Sequence, residues 1–461
     1  MRNIEHDFEA PSFPIWSELD FPRKPVNINP DVYLLNGTFL SDEERSRFYR
    51  KLFPLDLNDP IYQSNYTFGN PEIDEEDFHI FLPYSDINGW VYEGEFLSIA
   101  RKKLGIEGLS GVRSLSRVSY AMVEQARYIA IPIAELPEDR LNHSLVVART
   151  MEAIMRNNGF SEDEIDIGIA AALLHDIATP ASGDATKSLD PDNFNEEDFW
   201  WENLDEEAWK FLESIGADFE MIDDIIHNRG VLGEFLDIAD KISYVMLDIR
   251  QTGEDPIIEG LGNIYKDVKY NQQRGEVYFT DPERLKVFLG IRAKLFGDVY
   301  INPYSQSIDF IFASLLRPYY SPVENEEGLL LPQQLRVMTD EELLKYLAEK
   351  YRVEPWFMFN QGIGWFPSFV RCSTEEEATV KANELTRDTG NKVIGIKRGY
   401  GFNPATDFKV KDSESASTMQ FNQYDPNFAK ALNRAAERTK GYFVVYTKIS
   451  DLDWSRFVPE T

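Results

Sequence analysis

Residues 161–176 read Ser-Glu-Asp-Glu-Ile-Asp-Ile-Gly-Ile-Ala-Ala-Ala-Leu-Leu-His-Asp. Ser161 and Glu164 have the spacing of a capping box, in which each side chain satisfies a backbone N–H at a helix start. From Ile165 to Leu174 the run is apolar on nearly every side, so the helix it predicts lies at the centre of a bundle. The run stops at His175 and Asp176, with Pro180 just beyond. An imidazole and a carboxylate side by side at the end of a buried helix are costly unless something compensates them. A metal ion would settle that cost.

Upstream, Leu145, Val146, Met151, Ile154 and Met155 recur at helical spacing, and Asn157-Asn158-Gly159 supplies the stop. His143 lies on that helix. Downstream, 204–215 and 219–227 read as helices, and 233–250 as a longer amphipathic one that carries Asp240 and ends before Gly253. Only five histidines occur in the chain, and two of them, His143 and His175, fall on consecutive helices of one core. With Asp176 and Asp240 they form a mixed nitrogen and oxygen set suited to a divalent manganese, iron, nickel, zinc or magnesium ion. A lone His-Asp pair more often just caps a helix, whereas four such residues on three helices predict a site. His227, in His-Asn-Arg-Gly, reads as an ordinary helix end, and His6 and His79 stand apart.

The fold class expected is mainly α. Residues 1–110 mix aromatic residues, prolines and acidic clusters without a sustained period, so short helices and loops of unassigned role are expected there. Residues 111–330 form a helical core, with a further helix over 305–316. Residues 331–461 form a small α+β lobe, with strands over 392–397 and 442–448 and a helix over 427–440 between them. Residues 412–417 are polar enough for a mobile loop, and no internal repeat is visible.

The chain has 79 acidic against 47 basic residues, a net charge of -32, which opposes phosphate backbones at long range and argues against general nucleic-acid binding. Such acidity also fits a salty habitat or simple solubility. Any small anionic ligand needs local cations. The lone Cys372 excludes an intrachain disulfide framework and a thiolate cluster, which suits a reducing cytoplasm. Neither a signal peptide nor a membrane span is legible. A P-loop is absent, so phosphates would be held by side chains and metal.

The order His143, His175-Asp176, Asp240 resembles the HD superfamily of metal-dependent phosphohydrolases, and the resemblance implies an HD-domain helical bundle. Asp240-Lys241-Ile-Ser-Tyr244-Val-Met-Leu-Asp248 is similar to the segment of deoxynucleoside triphosphate triphosphohydrolases, including the vertebrate enzymes with a sterile-alpha motif and an HD domain. Residues 240, 244 and 248 lie four apart and so share one helix face. The resemblance implies that Asp240 ligates metal, that Tyr244 supports a sugar and that Asp248, with Gln125, meets its 3′-hydroxyl. It further implies that Arg140 and Arg292 reach phosphate, with Lys241 as a third cation near the metal, and that Tyr300 packs against the sugar. The last lobe, from Lys392 to Lys448, resembles the small carboxy-terminal region of the vertebrate enzymes. An assembling homo-oligomer is implied by the family's habit.

The resemblance breaks after His-Asp. The triphosphohydrolases continue Gly-His-x-Pro-Phe-x-His, whereas this chain reads Ile177-Ala-Thr179-Pro-Ala-Ser-Gly-Asp184. A further family histidine expected near Trp201-Glu202-Asn203 is also missing, and the residues for a regulatory nucleotide have no match around 113–121. Asp184 is the candidate acid in place of the lost histidines, with Thr179 a weaker donor. Three readings follow: hydrolysis of deoxynucleoside triphosphates to deoxynucleoside and tripolyphosphate, another nucleotide phosphohydrolase releasing phosphate or pyrophosphate, and a catalytically weak nucleotide sensor.

Overall fold

The computed structural model describes residues 79–84, 87–92, 118, 140–251, 261, 263–300, 312–313, 315–323, 329–351, 368–398, 403–411 and 417–448. Gln125, most of the helix expected at 305–316, and the loop at 412–416 lie outside the described residues.

The first described elements are β1 (His79–Tyr84) and β2 (Ile87–Tyr92), an antiparallel hairpin with His79 opposite Tyr92. Short helices and loops were expected there. Pro83 and Gly89 interrupt the alternation that announces a strand.

The helical core begins with α1 (Arg140–Asn157), whose first N–H donates to the Val118 carbonyl at 2.9 Å. The helix stops where expected, with Gly159 at φ +74°. The Asn158 amide donates to the Ile154 and Val268 carbonyls at 2.8 and 3.0 Å, which ties the helix end to a distant strand. Next, α2 (Glu162–Leu174) carries the expected capping box: Glu164 N–H donates to Ser161 Oγ at 3.4 Å and Ser161 N–H to the Glu164 carboxylate at 2.8 Å. Its residues from Gly168 to Leu174 are all buried, which places it at the centre as its all-round apolar run requires. The one-turn helices α3 (Asp184–Lys187) and α4 (Glu196–Phe199) precede α5 (Glu206–Ser214), α6 (Phe219–Ile226) and the long α7 (Gly230–Gln251). Where α1 meets α7, the Thr150 and Ser243 hydroxyls lie 3.1 Å apart. Each can place its one hydrogen on a carbonyl of its own helix, so neither buried hydroxyl is left unsatisfied.

A four-stranded sheet follows the bundle. The hairpin β3 (Val268–Asn271) and β4 (Glu276–Phe279) precedes α8 (Pro282–Lys294). Then come α9 (Pro332–Val337), α10 (Asp340–Tyr351), β5 (Ser368–Cys372), α11 (Glu375–Arg387) and β6 (Asn391–Arg398). The last are β7 (Lys409–Val410), β8 (Met419–Gln420), α12 (Phe421–Tyr424), α13 (Pro426–Thr439) and β9 (Tyr442–Lys448). Strand β7 runs parallel to β4, with Phe279 opposite Val410, and β8 completes that sheet. The second sheet is antiparallel in the order β5-β9-β6, with α11 packed on it and its own small core of Cys372, Ala378 and Val444.

The packing runs across the boundary expected at 330. The main core joins Leu145, Leu173 and Phe235 of the bundle to Val410, Phe421 and Leu432. A second cluster joins Ala181, Ala185 of α3 and Phe194, from the segment after α2, to Leu330, Leu335 and Leu343. Among the described residues, the β5-β9-β6 unit has a core of its own. No described helix is long and apolar enough to cross a membrane.

Candidate metal centre

The three helices α1, α2 and α7 bring His143, His175, Asp176 and Asp240 to one point. Ligand atoms of His143, His175 and Asp176 all lie within 4.8 Å of one another. Asp240 closes the set, with its Oδ1 3.1 Å from His143 Nε2 and 3.8 Å from His175 Nε2. Asp176 Oδ2 is 3.5 and 3.6 Å from the same two nitrogens. Donors that each sit about 2.1 Å from one ion are themselves about 3 to 4 Å apart, so these separations suit a shared cation. His175 Nε2 is buried and has no hydrogen-bond partner among the described residues, while its Nδ1 donates to the Ala172 carbonyl at 2.7 Å. That bond selects the tautomer whose Nε2 lone pair faces the carboxylates. The residues present therefore fit a divalent ion.

Electrostatics separate the two rings. Burial dominates for His143 and lowers its pKa. Burial also works against a charged His175, but Asp176 and Asp240 more than offset it and push that ring up to about 9. For Asp176, burial opposes the charge, and His175 and Arg140 overcome it and hold the carboxyl well below its ordinary range.

Arg140 donates to Asp176 Oδ2 at 2.7 Å from the first turn of α1. Its other terminal nitrogen lies 3.9 Å from Asp184 Oδ1, and Lys187 Nζ lies 3.5 Å from the same oxygen. Asp184 thus sits between two cations, a setting that favours the ionised carboxylate over a proton donor. Thr179 is fully buried in the turn after Asp176, to whose carbonyl its N–H donates at 2.9 Å.

The face of α7 carries the remaining expectations. Tyr244 accepts a hydrogen bond from Arg292 Nε, and burial, opposed by Arg292, pushes the phenol up to about 12. Arg292 is itself buried, donates to the Asn403 carbonyl and lies 5.3 Å from the Phe296 ring centre. Tyr300 ends a π-helical turn over Leu295–Tyr300, and its hydroxyl donates to the Asp248 carboxylate. Residues 240, 244 and 248 thus each meet a different partner expected at the site. Lys241 differs: its ammonium pairs with Asp237 one turn back on α7.

Two residues near the centre escaped the sequence reading. Lys187 is held by Glu196 and Asp184, and although burial opposes its charge, those carboxylates raise its pKa. The Glu197 carboxyl is raised by burial, then by Glu196, and lies within electrostatic reach of His175 and Asp176. Both sit on one-turn helices too short to show a period, so no pattern could have singled them out. His227 caps α6, with Nδ1 donating to the Asp223 carbonyl at 2.9 Å and Nε2 3.2 Å from an Asp198 oxygen.

Residues 140–244 match the HD domain family. No functionally curated protein matches the chain. Among solved structures, a hypothetical protein from Aquifex aeolicus shares 15% identity over 82% of this chain and 98% of its own, with a TM-score of 0.56. A phosphohydrolase from Bacteroides thetaiotaomicron shares 13% identity over 81% of this chain and 100% of its own, with a TM-score of 0.54. At such identities the two structures establish a common fold. HD domains bind divalent metals. Residues 140–244, with a His-His-Asp cluster at the point where α1 and α2 meet α7, are thus similar to an HD domain in sequence pattern.

Proposed function

We propose that this HD centre is a metal-dependent phosphohydrolase acting on nucleotides, with deoxynucleoside triphosphates as its substrate class. The observation that carries the reading is the stripe Asp240, Tyr244, Asp248 on α7, which runs from the metal centre to the Arg292 and Tyr300 contacts. That wall offers a ring and a carboxylate to a sugar next to the ion. His143, His175, Asp176 and Asp240 would hold a divalent metal, which would supply a Lewis acid for phosphate and lower the pKa of water. Arg140 orients Asp176 and meets phosphate charge, and the Tyr300 hydroxyl crowds the sugar edge where a ribose would carry its 2′-hydroxyl.

The products depend on the proton donor. Release of tripolyphosphate expels a basic 5′-alkoxide, which requires an acid. Asp184 is the expected donor, and that role requires it to leave the two cations beside it. Its ion pairing favours a second reading, release of pyrophosphate and a nucleoside monophosphate, since pyrophosphate is a far weaker base than an alkoxide and departs without that proton.

The test is incubation of purified protein with each nucleotide and with manganese, iron, nickel, zinc or magnesium, followed by chromatography of the products. Deoxynucleoside with tripolyphosphate is the expected result, pyrophosphate supports the second reading, and no release of any phosphate product overturns both. Equal turnover of ribonucleotides and deoxyribonucleotides overturns the sugar assignment.

A further inference from the structure

We propose that Glu197 of α4 is the proton donor to the leaving oxygen at the metal centre. The proposal deepens the phosphohydrolase reading above and rests on it. The carboxylates around Glu197 are paired with basic groups: Asp176 with Arg140, Asp184 and Glu196 with Lys187, Asp198 with His227 and Asp223 with Arg229. Glu197 is half-buried and makes neither a hydrogen bond nor an ion pair among the described residues, yet it lies within electrostatic reach of His175 and Asp176. A donor to a substrate oxygen stands in that relation to the ligands, close to the reacting atoms and bonded to no ligand itself.

The neighbours of Glu197 hold its turn in place. Glu196 accepts from Lys187, and Asp198 accepts from the Asn195 amide at 2.8 Å. The Phe199 ring lies 4.1 Å from the Arg336 guanidinium, and the buried Trp200 donates its indole N–H to Asp223 at 3.2 Å. A carboxyl on so fixed a turn keeps its position while substrate enters and leaves. Its surroundings also keep it protonated: burial acts first and Glu196 next, Asp176 adds to them, and His227 and His175 oppose them without prevailing. Asp184, between Arg140 and Lys187, is held toward its charged form instead. In the step itself a water oxygen bonds to the α-phosphorus as the bond from that phosphorus to the 5′-oxygen breaks. The electron pair of the broken bond stays on the 5′-oxygen, which takes the Glu197 proton, and the proton given up by the water restores the acid. Deoxynucleoside and tripolyphosphate result, with no further reagent.

The test compares two leaving groups in the full chain with manganese in excess. One substrate is a deoxynucleoside triphosphate, which expels a basic alkoxide. The other is bis(4-nitrophenyl) phosphate, whose phenolate departs without a proton. Glu197→Gln keeps the shape of the side chain and removes the acid. It is expected to lower kcat on the deoxynucleoside triphosphate by about 100-fold or more, with KM within a few-fold of wild type, and to lower turnover of the nitrophenyl ester by less than about tenfold. Equal losses on the two substrates, or wild-type kcat on the deoxynucleoside triphosphate, overturn the assignment. If Glu197→Gln does not fold, Glu197→Ala is read in the same two assays and decides by the same ratio. A wild-type protein that turns over no nucleotide fails the nucleotide reading and takes the step with it, whereas wild-type nucleotide turnover without the selective loss removes Glu197 alone.

Discussion

His175 holds the ring nitrogen on which the centre turns. Its Nε2 is buried without a hydrogen-bond partner among the described residues, and two carboxylates, against the effect of burial, raise its pKa to about 9. In the metal-free protein the charged ring favours the folded state. Its folded pKa lies above the unfolded value of 6.5, so this stabilisation is complete below 6.5 and is lost as pH rises through about 9. A metal must displace that proton, so affinity for manganese should fall as pH drops from 9 toward 6.5. Titration near pH 7.5 in buffers of different ionisation enthalpy should show about one proton released per metal bound. No release would remove His175 from the ligand set. Asp240→Ala should lower metal content by more than about tenfold, read by elemental analysis after dialysis, and full occupancy would exclude that carboxylate.

At the level of elements, two glycines set how closely the helices of the site approach. Gly168 of α2 faces α1, and an added Cβ would meet the Met155 thioether at 2.5 Å. Methionine is pliable, and alanine gains about 1 kcal/mol of helix propensity, so Gly168→Ala should change stability by no more than about 1 kcal/mol. Gly233 of α7 faces backbone instead: its Cβ would lie 2.5 Å from the Asn228 carbonyl carbon. Asn228 is itself held at φ +59°, so the neighbour cannot yield, and Gly233→Ala should cost about 1–3 kcal/mol by forcing the start of α7 aside. Urea denaturation orders the two variants, and the reverse order would refute this account of the α7 entry. Since α7 carries Asp240, the second variant should also lose metal affinity.

Across the whole molecule, Arg336 of α9 joins the later chain to the segment that carries Glu196 and Glu197. It is 3% exposed, donates to the Asn193 carbonyl at 2.8 Å, pairs with Glu202 and stacks 4.1 Å over Phe199. Glu202 belongs to the Trp201-Glu202-Asn203 stretch near which the resemblance places a further histidine, and here it anchors Arg336. Removing the buried cation takes away the Asn193 and Glu202 contacts and the stacking on Phe199 together, and Arg336→Ala should cost about 2–4 kcal/mol. A double-mutant cycle with Glu202→Gln should return most of that loss as coupling, and simple additivity of the two changes would show that the pair is not the link.

The capping box at Ser161, the buried run to Leu174, the stop at Gly159 and the α7 stripe were legible because each is a local pattern with a fixed period. The four candidate metal residues were legible for a related reason: each lies within or just past such a helix, and few histidines compete for the role. Other features had no local signature. Strands β4 and β7 pair in one sheet with Phe279 opposite Val410, two segments distant in sequence, and no four-residue segment announces that pairing. The packing across residue 330 is equally a matter of distant partners, Ala181 with Leu335 and Phe194 with Leu330 in one cluster. Charge pairing was beyond reach for the same reason. That Lys241 pairs with Asp237 while Lys187 stands beside Arg140 depends on side-chain direction and on loops fixed by α9 and α10. Sequence alone determined which helices form and which residues could ligate a metal, since those follow from spacing. The tertiary structure decided which cations face the site, since that follows from how the loop after His175-Asp176 is held.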